Sequence, residues 1–209
     1  MFSFTEYNEI FELFKPKELS GIKKHLAPHD KVDTRSKSWA VPLPDAFAKY
    51  GFKLLGSGKY ASVFGHPTYP YVIKLFMKDA AFLRWVKFCM ENKNNKYVPT
   101  IRGKVIKITP NFFAIRIEKL TPFKYSQSKE FMSEYDKWNR DNKYVTKDKE
   151  LAVVLDHFAQ NKSLLDLHGD NMMMRGNQVV VIDPYYNWFG KKAPGQYTID
   201  PNVIDKSVF

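Results

Sequence analysis

Hydrophobic residues along this chain recur first at helical spacing, then at strand spacing, then at helical spacing again. Over residues 4–16 (FTEYNEIFELFKP), Phe4, Tyr7, Ile10, Phe11 and Phe14 fall on one helical face and Pro16 closes the pattern. A second short helix is predicted from Pro16 to about His25. Residues 27–45 set Pro28, Pro42 and Pro44 among charges and read as a connecting segment. From Tyr50 the period shortens: FKLLGSGKYASVFGHPTYPYVIKLF reads as two or three short strands, with turns at Gly65-His66-Pro67 and Tyr69-Pro70. DAAFLRWVKFCMEN returns to the helical period. Residues 102–108 and 112–120 are strand candidates joined at Thr109-Pro110-Asn111. Helices are predicted over 127–141 and 147–162, LLDLHGDN is a loop, and MMM and QVVVID pair around Arg175-Gly176-Asn177. The last twenty-odd residues, rich in Tyr, Pro and Gly, read as irregular.

A strand-rich half built around one helix, followed by a helical half ending in a hairpin, predicts an α+β fold of two lobes with a cleft between them, where ligands usually sit. The expected divisions are an N-terminal helical extension and connector (1–49), a strand-rich N-lobe (50–119) and a reduced, mainly helical C-lobe (120–209). The composition, 44% hydrophobic and 16% aromatic, supports a packed core and excludes wholesale disorder. No apolar run approaches the roughly 18 residues of a membrane span. The N-terminus has no basic-then-apolar signal pattern, and the lone Cys89 fits a reducing cytoplasm, so no membrane association is expected. The net charge of +11 is spread over the chain with no uninterrupted basic run. It reads as a solvated basic face open to an acidic protein surface, and charge is all that points to nucleic acid.

Four short segments carry candidate chemistry. In Leu55-Gly56-Ser57-Gly58-Lys59-Tyr60-Ala61-Ser62-Val63, alternate glycines let backbone N–H groups approach phosphate oxygens where a Cβ would intervene. A hairpin turn would use glycines too. The segment lies between strands, which separates it from phosphate loops that open a helix. Tyr71-Val72-Ile73-Lys74 is an apolar strand ending in a lysine able to pair with phosphates as a point charge. Leu164-Leu165-Asp166-Leu167-His168-Gly169-Asp170-Asn171 offers a carboxylate to take a hydroxyl proton and, from the same loop, an oxygen ligand for Mg²⁺. Val179-Val180-Val181-Ile182-Asp183-Pro184 delivers another carboxylate at a strand end. Each segment alone has an ordinary structural explanation; their order is what points to phosphoryl transfer.

In that order the segments resemble the protein kinase superfamily. GSGKYASV is similar to G-x-G-x-x-G-x-V with Ala61 at the third glycine, YVIK to V-A-I-K, DLHGDN to D-L-K-x-x-N, and IDP stands where D-F-G would be. The resemblance implies a protein-kinase-like fold that uses ATP and Mg²⁺. Asp166 becomes the catalytic base, Lys74 the phosphate-pairing lysine, and Asn171 and Asp183 the metal ligands. Leu55, Gly56, Ser57, Gly58, Val63 and Val72 line the nucleotide, Glu118 to Leu120 form the hinge beside adenine, and His168 contacts the γ-phosphate. Over about residues 50–190 the chain resembles more closely the early-gene serine/threonine kinases of T-seven-like podophages. That resemblance implies action in the host bacterial cytoplasm on host proteins, RNA polymerase and RNA-processing enzymes among them. It also leads to the expectation that a C-terminal host shut-off region is missing.

The sequence departs from the kinase pattern in several places. Leu164 and Leu165 replace His-Arg, His168 replaces a lysine, and Pro184-Tyr185 replaces Phe-Gly. Ala193-Pro194-Gly195 reads as a turn. Glu91 is the acidic residue of its helix that could pair with Lys74, although a solvent-exposed role fits it equally well. Two alternatives to a protein kinase stay open: a kinase-shaped protein that inhibits a host machine by binding through its basic surface, and a small-molecule kinase, which His168 would suit.

Overall fold

The computed structural model describes residues 16–28, 47–58, 61–77, 79–141, 144–186 and 208. The helix expected over 4–16, most of the connector and nearly all of the C-terminal irregular stretch lie outside these residues. Mixed α and β structure is arranged as two compact units. One takes the described residues up to Asp79 together with Ile101–Lys119 and Val208. The other takes Ala80–Thr100 and the described residues from Leu120 to Tyr186.

The first unit is an antiparallel sheet of five strands, β1 (Lys53–Ser57), β2 (Ala61–Gly65), β3 (Tyr71–Met77), β4 (Ile101–Lys107) and β5 (Phe112–Glu118), in the order β1-β2-β3-β5-β4. Strands alternate their side chains between two faces. One face presents Phe64, Ile73, Leu75, Met77, Phe112 and Ala114, and these form one core with Ile22 and Leu26 of α1 (Pro16–Leu26) and with Phe47 and Phe52. Phe47 stacks on Phe64 with ring centroids 4.0 Å apart. Part of the segment assigned to a separate N-terminal extension is thus integral to the sheet unit, because burying Ile22, Leu26 and Phe47 is what covers that face.

The second unit joins α2 (Ala80–Glu91), α3 (Lys129–Arg140) and α4 (Lys149–Gln160) to a small sheet, β6 (Thr121–Pro122), β7 (Met172–Arg175) and β8 (Gln178–Val181), in the order β6-β7-β8. The two-residue hairpin turn has Gly176 at φ +60°, the left-handed conformation such a turn demands. The sequence pattern assigns α2 to the strand-rich lobe, whereas α2 groups with the helices. Trp85 packs against His157, Phe158 and Tyr185, and Phe88 stacks on the His157 ring at 4.0 Å. Arg84 of α2 also donates to the Asn161 side chain. Cys89 is buried, and burial pushes its thiol pKa well up, so it acts as a small core residue. No helix among the described residues is long and apolar enough to cross a membrane.

Asp148 fastens the start of α4. Its carboxylate accepts the Glu150 and Leu151 N–H groups as an N-cap, takes the Tyr97 hydroxyl at 2.8 Å and pairs with Lys96 Nζ at 2.7 Å. Burial works against the charged form, but the Lys96, Tyr97 and Leu151 hydrogen bonds outweigh it and bring the Asp148 pKa from 3.8 to about 2. His157 is displaced for another reason: burial, reinforced by the Arg84 charge, brings it from 6.5 to about 4.

These shifts predict two steps in acid sensitivity. The unfolded chain protonates His157 more readily than the native one, so stability falls as pH drops from about 6.5 toward 4. The Asp148 contribution is intact above pH 3.8 and is lost as pH falls toward 2. Urea midpoints measured against pH should show His157→Phe flattening the upper step while retaining the stack on Phe88. Asp148→Ala should cost about 1–2 kcal/mol at neutral pH through loss of cap and ion pair.

Candidate active site

The glycine loop joins β1 to β2. Gly58 N–H donates to Ala61 O at 2.8 Å, and the Ser57 and Ser62 hydroxyls lie 3.0 Å apart. Leu55 is the bulged residue, since Leu54 opposes Phe64 and Gly56 opposes Val63. Its side chain lies over Gly65, where an added Cβ would come within 2.7 Å of Cδ1, so Gly65 has a packing reason to be glycine. Gly56 and Gly58 have none. Neither has positive φ, and a Cβ at either would meet nothing within 4 Å among the described residues.

Cross-strand register sets the sheet face opposite the α1 core. Val63 opposes Lys74, Val72 opposes Gly65 and Ile117, and Lys74 opposes Ile115. Val63, Val72 and Lys74 therefore share one face, the two valines half-buried and Lys74 only 8% exposed. Leu55, at the edge, is 57% exposed. Glu118 ends β5, the chain passes from the first unit to the second between Lys119 and Leu120, and Lys119 N–H is tied to Pro70 O at 3.2 Å. The Glu91 side chain is 60% exposed and lies 3.8 Å from Lys87 Nζ, one helical turn away.

In the second unit Asp166, His168, Asn171 and Asp183 are drawn together by the backbone. Asp166 N–H donates to Pro184 O at 2.7 Å and Tyr186 N–H to Leu164 O at 3.0 Å, so residues 164–166 and 184–186 run as a short antiparallel bridge. Asn171 closes the arrangement. Its Nδ2 donates to Asp166 O at 2.6 Å, and its own carbonyl accepts Ile182 N–H at 2.9 Å and Asp183 N–H at 3.4 Å. With Nδ2 committed to Asp166, the Asn171 amide keeps Oδ1 as an acceptor for a cation. The Asp166 carboxylate is exposed, and His168 Nε2 lies 3.8 Å from its Oδ2 and 3.1 Å from Asn171 Nδ2. His168 Nδ1 accepts Asp170 N–H at 3.3 Å. Among the described residues no three His, Cys, Asp or Glu side chains form a metal cage. What joins Asn171 to Asp183 is the backbone bond from Asp183 N–H to Asn171 O.

The sequence pattern did not single out Phe123 and Tyr125, which pack over this loop. A Cβ on Gly169 would lie 3.6 Å from the Phe123 ring and 3.7 Å from the Tyr125 hydroxyl. Their signal is faint, two aromatics among polar residues between predicted elements. The pairing of Thr121-Pro122 with β7, which carries them there, depends on long-range contact.

No protein-family model and no curated protein matches the chain. Among solved structures it is similar to one described as the crystal structure of Rad53 1-466 in complex with AMP-PNP, at 13% identity and a TM-score of 0.38. The match covers 65% of this chain and spans 38% of that one. At that level the likeness assigns no activity to this chain.

Proposed function

We propose that the chain is a phage-type serine/threonine protein kinase that transfers the ATP γ-phosphoryl group to hydroxyls of host proteins in the bacterial cytoplasm, its targets lying in transcription and RNA processing. The observation that supports this reading is that Asp166, whose carboxylate is exposed, Asn171 and Asp183 are joined by hydrogen bonds through their backbone. The substrate hydroxyl oxygen attacks the γ-phosphorus. The new O–P bond forms as the bond to the bridging oxygen breaks, and the electron pair leaves with ADP. Asp166 orients the hydroxyl and takes its proton. Asn171 and Asp183 would hold Mg²⁺, which would supply positive charge against the phosphates. Lys74 adds a positive charge on the α- and β-phosphates, His168 contacts the γ-phosphate, and Val63, Val72 and Leu55 offer apolar contact to adenine.

The two unexplained glycines support the same reading. Among the described residues nothing packed around Gly56 or Gly58 excludes a side chain, whereas a phosphate approaching the loop backbone would.

With γ-labelled ATP and host lysate, Asp166→Ala and Lys74→Ala should each lower protein labelling by roughly 10²-fold or more. Undiminished labelling in both would overturn the kinase reading. Gly56→Ala combined with Gly58→Ala separates a nucleotide loop from a simple hairpin. Its thermal midpoint should stay unchanged or rise, while Mg·ATP affinity falls by about tenfold.

A further inference from the structure

A groove of about 460 Å³ runs along α3, lined by Tyr125, Lys129, Met132, Ser133, Asp136 and Arg140. The five helical residues recur three or four apart and so lie on one face of α3. Two cations face a single carboxylate there. Arg140 gives its Nε to Asp136 O at 3.2 Å, which leaves both terminal amino groups of the guanidinium for another acceptor. Glu134 is engaged elsewhere, accepting Lys137 Nζ at 3.0 Å and the Tyr144 hydroxyl at 2.6 Å. The charge of the groove is therefore net positive.

One end of the groove meets the Asp166 loop. Tyr125 is 67% exposed, lines the groove and packs beside Gly169. Its position is fixed from both sides. Ser128 Oγ donates to Tyr125 O at 3.1 Å, and Gln127 Nε2 donates to Asn177 Oδ1 at 3.2 Å in the β7–β8 turn. The span from Lys129 to Arg140 is about 16 Å of helix, the length of roughly five extended residues.

We propose that this groove binds an acidic polypeptide segment flanking the phosphorylated hydroxyl, with Lys129 and Arg140 on its carboxylates and Tyr125 against the chain next to the acceptor. The proposal deepens the kinase reading and rests on it only for the transfer at Asp166. Binding through the groove needs no catalysis, so the two can fail separately.

The test is fluorescence anisotropy with a labelled peptide carrying one serine flanked on both sides by glutamates, beside the same peptide with glutamines. Wild type and Asp166→Ala should bind the glutamate peptide equally, with affinity that falls as salt rises. Lys129→Glu with Arg140→Glu should weaken binding by about tenfold or more. Lys23→Glu with Lys24→Glu, exposed on α1, lowers the net charge equally and should leave binding unchanged. In phosphorylation assays the groove variant should raise KM for the glutamate peptide with kcat nearly constant. Charge-dependent binding without phosphate transfer would support the groove while contradicting the kinase reading. Equal use of the two peptides, equal loss in the α1 variant, or no loss in the groove variant would overturn the proposal even if transfer proceeds.

Discussion

Asn171 bonds in two directions at once, and the candidate site depends on that. Its side-chain amide holds the carbonyl of Asp166, while its carbonyl receives the N–H groups of Ile182 and Asp183. Three residues separated by up to seventeen positions in sequence are thereby fixed relative to one another through backbone bonds. Loops that carry reactive groups need such restraint, because a small misplacement of a base or ligand costs far more rate than stability. The bridge between Leu165 and Tyr185 supplies the remaining restraint.

Beneath the bridge, packing and polarity work together. Tyr185 is buried among Trp85, His157 and Phe158, and its hydroxyl donates to His157 O at 3.3 Å. The same aromatic cluster holds α2 against α4, so the support of the loop and the cohesion of the second unit share residues. Residues 96–98 are anchored from two sides. Arg175 donates to Lys96 O and Val98 O, Val181 N–H donates to Tyr97 O, and Asp148 takes the Lys96 and Tyr97 side chains. A polar network thus joins the N-terminus of α4 to the hairpin that delivers Asp183.

Much of this was legible in the sequence, because local chemistry dictated it. Strands β2, β3 and β5, helices α2, α3 and α4, and the hairpin around Gly176 follow from hydrophobic period and turn residues, with ends differing by one or two positions. The grouping of Asp166, Asn171 and Asp183 could be anticipated from their order along the chain. Other features depend on distant partners. Thr121-Pro122 reads as no strand until β7 lies beside it, and α2 belongs with the helices because Trp85 and Phe88 find His157, which carries no signal of its own. Glu91 had two readings in the sequence, and its nearness to Lys87 one turn earlier depends on the helix being formed.

The proposed phosphoryl transfer requires a cation held by Asn171 and Asp183 beside the nucleotide. The most direct measurement is anomalous diffraction at the manganese edge from crystals grown with Mn²⁺ and AMP-PNP. The account predicts a peak at coordinating distance from both Asn171 Oδ1 and the Asp183 carboxylate, and its loss in Asp183→Asn. Nucleotide bound with no peak between these residues, or a peak that persists in the variant, would contradict it.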